Sequence, residues 1–92
     1  MLEYQIGQIV FSKSGHDQGE AMIIVSVEDR YLYLVNGKTR MTAKPKRKKK
    51  IHVQPTHYVD ATIAKKLLQN ELVQDAEFRN AIKMFEVKAV DC

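Results

Sequence analysis

The sequence has very little cysteine: the only one is Cys92, at the last position. A single thiol cannot form a disulfide within the chain, which excludes a disulfide-stapled scaffold and is typical of a reducing compartment. The sequence also lacks an apolar run long enough to cross a bilayer and an N-terminal stretch of signal-peptide character. We therefore expect a cytoplasmic protein with no membrane partner.

Residues arranged for catalysis or metal binding are also scarce. Ser14, His16 and Asp17 match a catalytic triad only by residue type, because three residues of one turn cannot adopt the nucleophile–base–orienter geometry. His52 and His57 have no cysteine or carboxylate at metal-ligand spacing, and no glycine-rich P-loop is present. A domain of 92 residues also has little room for a water-excluded pocket. We predict a binding protein with no enzymatic activity, no metal and no other cofactor.

Positive charge is abundant, and it is concentrated in one segment. The formal net charge is +4, from 15 Lys plus Arg and 11 Asp plus Glu. Six of the seven residues from Lys44 to Lys50 are basic, which leaves nine basic and eleven acidic residues elsewhere. A concentrated basic field favours a nucleic-acid partner, because Lys and Arg neutralise phosphates and release counterions. A nuclear localisation signal and a solvated loop that blunts a sheet edge are the alternatives.

Short apolar runs bounded by turn residues fill the first half of the chain and predict β structure. We predict five strands, at 6–11, 21–27, 31–35, 38–43 and 51–54. Asn36-Gly37 favours a type I′ turn that pairs the third strand with the fourth. Pro45 excludes a central strand inside the basic run, so we expect that run to be an excursion between the last two strands. Beyond it, Ile51 and Val53 should be buried.

After Pro55, which ends the predicted strands, the apolar period changes to that of a helix. Asp60 is a suitable N-cap for a first helix that ends near Asn70. A second helix should run from about Asp75 to Phe85. Its apolar residues recur at i, i+3, i+4 and i+7 and form one face, which we expect to pack against the sheet: Phe78, Ala81, Ile82 and Phe85.

The stretch from Gly7 to Val27, GQIVFSKSGHDQGEAMIIVSV, joins two strands through a polar turn bracketed by glycines. Gly15 and Gly19 can adopt positive φ and reverse the chain sharply. Asp17 can accept backbone N–H bonds and stiffen the turn. The tip of the turn then exposes five polar side chains: Lys13, Ser14, His16, Asp17 and Gln18.

This stretch resembles the KOW motif, whose pattern it matches in order and spacing at Gly7, Ile9-Val10, Lys13, Gly15, Asp17, Gly19 and the strand MIIV. The segments VNGK and AKPKRKKKIHVQPTHYVD, followed by two short helices, extend the resemblance over nearly the whole chain. It is then a resemblance to small free-standing bacterial KOW-domain RNA-binding proteins, which are similar to KOW-bearing large-subunit ribosomal proteins of eukaryotic and archaeal type. The resemblance implies a mostly β fold with some α, built as a five-stranded SH3-like barrel followed by two helices. We predict one domain over residues 1–92, with the barrel at 1–58, a helical extension at 59–86 and a frayed tail at 87–92.

The resemblance and the basic run together predict an RNA-binding surface. Its residues are Lys13, Ser14, His16, Lys38, Arg40, Lys44, Lys46, Arg47, Lys48, Lys49, Lys50 and His52. A structural role in turns is assigned to Gly7, Gly15, Asp17, Gly19, Asn36 and Gly37. For Tyr58 we favour packing between the barrel and the first helix over stacking on a base.

These features lead us to expect a ribosome-associated, monomeric protein of translation that binds structured RNA, above all ribosomal RNA, with ribosomal proteins as neighbours. One alternative is a KOW protein-adaptor module in a transcription or translation complex, whose affinity would come from apolar contacts and change little with salt. Double-stranded DNA is a third partner, disfavoured because the basic residues avoid both helices and supply no recognition helix.

Overall fold

The computed structural model describes residues 4–90 as a five-stranded antiparallel sheet followed by two α-helices. The strands are β1 (Gln8–Ser12), β2 (Ala21–Val27), β3 (Tyr31–Val35), β4 (Lys46–Lys49) and β5 (Val53–Val59), with a 3-10 helix (Lys50–His52) between β4 and β5. The helices are α1 (Ala61–Leu68) and α2 (Asp75–Val90). The strand order is β4-β3-β2-β1-β5. The combination of strands and helices agrees with the predicted fold class. Within residues 4–90 no backbone ladder joins β4 to β5, so the sheet itself is open.

The central strands β1 and β2 are buried on both faces of the sheet, as their continuous aliphatic runs require. Ile9 and Ile23 face the helices, and Val10, Met22 and Ile24 face the opposite side. All five side chains are 0% exposed. The molecule therefore has two hydrophobic cores, one on each side of the same sheet.

The first core lies between the sheet and the helices. Val35 of β3 and Ile63 of α1 belong to it, together with the apolar face of α2, from which Phe78 is 0% exposed. Burying one side chain of this size contributes about 2–3 kcal/mol. The prediction that this face of α2 packs against the sheet is confirmed.

The second core fills the concave side of the sheet. Val53 of β5 and Leu32 of β3 belong to this one cluster, although β2 and β1 lie between their strands. Lys48 Nζ of β4 also reaches Ser12 Oγ of β1 at 2.6 Å, although β3 and β2 lie between these strands. Contact across two intervening strands requires a sheet that curls on itself, as twisted antiparallel sheets do. The curl brings β4 towards the end of β1 and the turn that follows it.

The ends of α1 follow from its capping residues. The Asp60 carboxylate accepts a hydrogen bond from the Ile63 backbone N–H at 2.9 Å, as predicted for an N-cap. Asn70 has φ 58°, and the Glu71 N–H donates to the Lys66 carbonyl at 2.8 Å, which closes a Schellman motif. The first helix therefore ends near Asn70, as predicted from the sequence.

The second helix begins at Asp75, as predicted, but continues to Val90, five residues past its expected end at Phe85. Residues 86–90 contain neither glycine nor proline to stop a helix, and most of them are compatible with one. The segment expected to fray is therefore helical as far as it is described, and Cys92 lies outside the described residues.

The predicted partner of β3 is wrong. Residues 38–43 form no strand, and β3 pairs instead with the basic run, in the register Leu34 to Lys46 and Tyr31 to Lys49. The Asn36 side chain accepts hydrogen bonds from three successive backbone N–H groups at 2.9–3.0 Å, those of residues 38–40. This network widens the connection from a two-residue hairpin into a long loop. A type I′ turn is excluded because φ at Asn36 is not positive.

The expected excursion of the basic run is therefore wrong, since four of its residues form strand β4. Pro45 stands just before this strand, where its missing N–H disturbs no ladder. Pro55 does not end the strands but lies within β5, an edge strand that tolerates it. Val53 is buried as predicted, whereas Ile51 is 72% exposed because the 3-10 helix turns it outward.

Candidate nucleic-acid interface

The turn between β1 and β2 is held by backbone and side-chain hydrogen bonds. Gly15 and Gly19 have φ of 84° and 88°, which L side chains rarely adopt. The Gly19 N–H donates to the Ser12 carbonyl at 2.8 Å, and the Ser12 hydroxyl donates to Asp17 Oδ1 at 2.8 Å. Asp17 was expected at the exposed tip, but it points into the protein because Ser12 binds its carboxylate. Lys13, His16 and Gln18 are exposed, and Ser14 is half-buried.

Lys48 is the residue of the basic run that points inward. Its Nζ donates to Ser12 Oγ at 2.6 Å, to the Ser14 carbonyl at 2.7 Å and to Asp17 Oδ1 at 2.7 Å. The side chain is only 7% exposed. Lys48, predicted to bind RNA, instead links β4 to the end of β1 and the following turn, because the strand pleat sends alternate side chains to the concave side.

The partners of Asp17 favour the ionised form of its carboxylate. Burial by itself raises the pKa, but hydrogen bonds from Lys48 and Ser12 and the charges of Lys48 and Lys46 more than offset it, so the pKa of Asp17 is lowered. Its second oxygen, Oδ2, is buried without a hydrogen-bond partner. A buried carboxylate in this state depends on the Lys48 cation.

The turn and the basic segment lie against each other. The Lys13 backbone N–H donates to the His52 carbonyl at 2.9 Å, which joins the turn to the 3-10 helix after β4. The Lys50 N–H donates to the Arg30 carbonyl at 2.9 Å, so the β2–β3 turn stands beside the same segment. With Lys48 withdrawn, the exposed or half-buried side chains of this surface are five cations and two histidines: Lys13, Lys46, Arg47, Lys49, Lys50, His16 and His52. We call these seven residues the basic surface.

Arg30 was missed by the sequence reasoning because it lies 20 residues before Lys50. The two backbones touch because Arg30 and Lys50 continue the β3–β4 pairing beyond the Tyr31–Lys49 pair. Its neighbours Glu28 and Asp29 are exposed and acidic, so this turn bounds the basic surface as well as adding a cation to its edge.

Two tyrosines of β3 were also missed. Tyr31 and Tyr33 face outward beside Arg47 and Lys49 of β4, in the register Tyr33 to Arg47 and Tyr31 to Lys49. The Arg47 guanidinium lies over the Tyr31 ring, 3.7 Å from its centroid. The alternation of aromatic and aliphatic residues in YLYLV was the signal that could have shown a one-sided aromatic face.

Tyr58 lies elsewhere and packs. It is half-buried against the helix-side core, with its ring 5.3 Å from that of Phe85 in an edge-on arrangement. Its hydroxyl lies 3.5 Å from Lys88 Nζ. This supports the favoured interpretation of Tyr58, with α2 rather than α1 as the ring's aromatic partner.

Lys38, Arg40 and Lys44 lie in the long β3–β4 loop, which packs against the start of α2. The Arg79 guanidinium donates to the Gly37 carbonyl at 2.6 Å, and the Thr42 N–H donates to Asp75 Oδ1 at 2.8 Å. Lys38 lines a groove of about 990 Å³ between this loop, the start of β2 and α2. These cations therefore extend the charge beyond β4 but are held by a different set of contacts.

Two other kinds of feature, a metal site and a membrane-spanning helix, are absent from the described residues. In residues 4–90, no three His, Cys, Asp or Glu side chains come together as metal ligands would. No helix in the described range has the length and apolar character needed to span a bilayer. Compared with known proteins, the chain matches no family model and no curated sequence.

Proposed function

We propose that the protein binds RNA through the basic surface. The observation that carries the proposal is the backbone bond from Lys13 to His52 at 2.9 Å, which joins the cationic turn to the 3-10 helix that follows β4. Neighbouring cations can contact several phosphates of one strand at once, and each contact releases counterions. The arrangement is rigid on the protein side, since Lys48 pins β4 to the turn.

The fold proposed for this surface is an SH3-like barrel of KOW type. The strand order with β5 beside β1, the 3-10 helix between β4 and β5, and the core enclosed by the curled sheet all support it. The Lys48 side chain supplies a further connection across the open side of the sheet. The glycine-spaced turn at 13–19 supports the KOW assignment.

The binding mechanism we propose is electrostatic positioning on a rigid shape, without a chemical step. The edge strand β4 leaves room for a nucleic-acid backbone beside it, because within residues 4–90 no further strand pairs with its outer side. Arg47, Lys49 and Lys50 offer positive charges to the phosphates. The target proposed is structured ribosomal RNA, which makes the protein a cytoplasmic, ribosome-associated factor of translation.

A matched pair of double variants tests this proposal. Lys49→Gln with Lys50→Gln removes two charges from the basic surface, and Lys65→Gln with Lys83→Gln removes two exposed charges from the helices. Net charge changes equally in both. We expect the first pair to weaken binding of a structured RNA by about tenfold or more and the second by less than about threefold, since only phosphate contacts release counterions. Equal effects would mean that net charge alone governs binding and that this surface is not the site.

A protein-adaptor role is the second candidate, and exposed leucines near the end of α1 favour it. Leu68 and Leu72 are 68% and 79% exposed, and they lie on either side of the turn at Asn70. Burial of such side chains in a partner would give an affinity nearly independent of salt. Retained partner binding in the Lys49 and Lys50 variant, together with its loss in Leu68→Ser, would favour this role.

A further inference from the structure

The outer face of the β3–β4 pair combines aromatic and cationic side chains. Along both strands the alternate residues are buried: Leu32 and Leu34 are 0% exposed and Lys48 is 8% exposed. Lys46, opposite Leu34, shares the face of these buried residues. The opposite face carries Tyr31, Tyr33, Arg47 and Lys49, with the buried Val35 at the far end of β3. Two aromatic rings and two cations thus stand side by side at the edge of the sheet.

Within this face, the Arg47 side chain stacks on the Tyr31 ring and is held in place by it. Its guanidinium carbon lies 3.7 Å from the centroid of the Tyr31 ring, at the distance of a cation–π contact. Arg47 is exposed while Tyr31 is half-buried beneath it, so the guanidinium presents its other side to solvent. The result is a flat, charged surface that needs no rearrangement before a flat ligand can lie on it.

We propose that the Tyr31–Arg47 stack is a platform for an unpaired base of RNA. The inference rests on the proposed RNA binding and deepens it by naming the part of the RNA that is recognised. Bases stack on guanidinium planes and aromatic rings when they are unpaired, whereas a duplex hides the faces of its bases. Tyr33, directly across the ladder from Arg47, lies beside the stack and extends the surface.

The charges around the Tyr31–Arg47 stack determine which path the backbone of the bound RNA follows. Lys49 and Lys50 lie on the β4 side, while Glu28 and Asp29 stand in the turn that precedes Tyr31. Phosphates are attracted to the first pair and repelled by the second, so the RNA backbone should follow β4 while its base reaches over Arg47. This geometry requires a loop, a bulge or a single-stranded end.

The test separates a stacking plane from a charge. Arg47→Lys keeps the charge and removes the plane. Tyr31→Leu removes the ring beneath it, and Tyr31→Phe keeps that ring. Lys49→Gln removes a neighbouring charge. Each variant is titrated, at one fixed salt concentration, against a labelled single-stranded oligoribonucleotide and against a blunt RNA duplex of equal length.

We expect Arg47→Lys and Tyr31→Leu to weaken single-strand binding by about 5- to 100-fold, the range of one lost base stack. Duplex binding should change by less than about twofold, since charge is kept or untouched. Tyr31→Phe should match the unaltered protein on both probes, and Lys49→Gln should weaken both. Thermal melting of each variant checks that the sheet is intact.

Other outcomes overturn the platform. Single-strand binding by Arg47→Lys equal to that of the unaltered protein, with both probes weakened by Lys49→Gln, would leave RNA binding standing and remove the stack from it. If Arg47→Lys weakened binding of both probes equally, the Arg47 guanidinium would be binding a phosphate rather than stacking on a base. No binding of either probe by the unaltered protein would overturn both the platform and the proposed function.

Discussion

Replacing Lys48 with methionine tests the division of the basic run into one structural lysine and several exposed cations. The variant keeps most of the aliphatic stem and removes the ammonium group. Three hydrogen bonds of 2.6–2.7 Å disappear, and the ion pair with Asp17 goes with them. The Asp17 carboxylate, 9% exposed and already lacking a partner at Oδ2, is left buried without a cation.

The expected cost follows from this burial. Removing one partner of a buried ion pair typically costs about 3–5 kcal/mol, much of it from the charge left behind. A chain of this size has a total stability of about 5–14 kcal/mol, so the loss is a large fraction of it. For a domain of this length, a loss of 3 kcal/mol lowers the melting temperature by roughly 12 °C or more.

Reversible thermal and urea denaturation, followed by circular dichroism, measure this loss. The matched control is Lys49→Met, one residue away and exposed, whose effect should stay within about 0.5 kcal/mol. Adding Asp17→Asn to Lys48→Met should restore part of the stability, since no uncompensated charge then remains. Equal stability of the Lys48 and Lys49 variants would refute the buried role of Lys48.

Two further predictions concern the turn and the start of the sheet. Because the pKa of Asp17 is lowered, its ionised form stabilises the fold above the ordinary carboxyl value of 3.8, and this stability is lost as pH falls through the lower folded pKa. The difference in urea midpoint between the unaltered protein and Asp17→Asn should therefore be full at pH 7 and shrink below about pH 4; a constant difference would contradict the ionised state. Gly7→Ala should cost about 2 kcal/mol or more, because φ is 88° and the new Cβ would lie 2.6 Å from the Ala64 Cβ; a urea midpoint unchanged by this variant would show that α1 can move away.

The elements governed by local pattern were predictable from the sequence. The aliphatic run of β2 and the i, i+3, i+4, i+7 face of α2 were located because their periods are properties of the chain itself. The N-cap at Asp60 and the stop at Asn70 were found because capping depends on a single residue type. Each of these signals is contained within a few consecutive residues.

The partner of β3 was missed because a run of lysine and arginine has low β propensity and no alternation of polarity. Lys46–Lys49 forms a strand by pairing with β3 and by the contacts of Lys48 with Asp17 and Ser12, which lie more than 30 residues earlier in the chain. Tertiary contacts of this separation override local preference and leave no mark in the pattern of the segment.

The sequence predicted which residues supply the charge of the candidate site, but not how they are arranged. The sequence identified the cations of the basic run, and it could not tell which one would point inward. The stack of Arg47 on Tyr31 depends on the register of two strands whose pairing was predicted differently. From the sequence, base stacking was considered only for Tyr58, which stands shortly after the basic run, and packing was favoured there.

The most direct test of RNA binding through the basic surface is the dissociation constant for a structured RNA across a salt series. If about five cations each neutralise one phosphate, affinity should fall roughly 500-fold between roughly 50 and 200 mM salt. The slope should become shallower in the Lys49→Gln, Lys50→Gln variant and stay unchanged in the Lys65→Gln, Lys83→Gln control. A dissociation constant that does not change with salt, or a slope identical in all three proteins, would contradict the account.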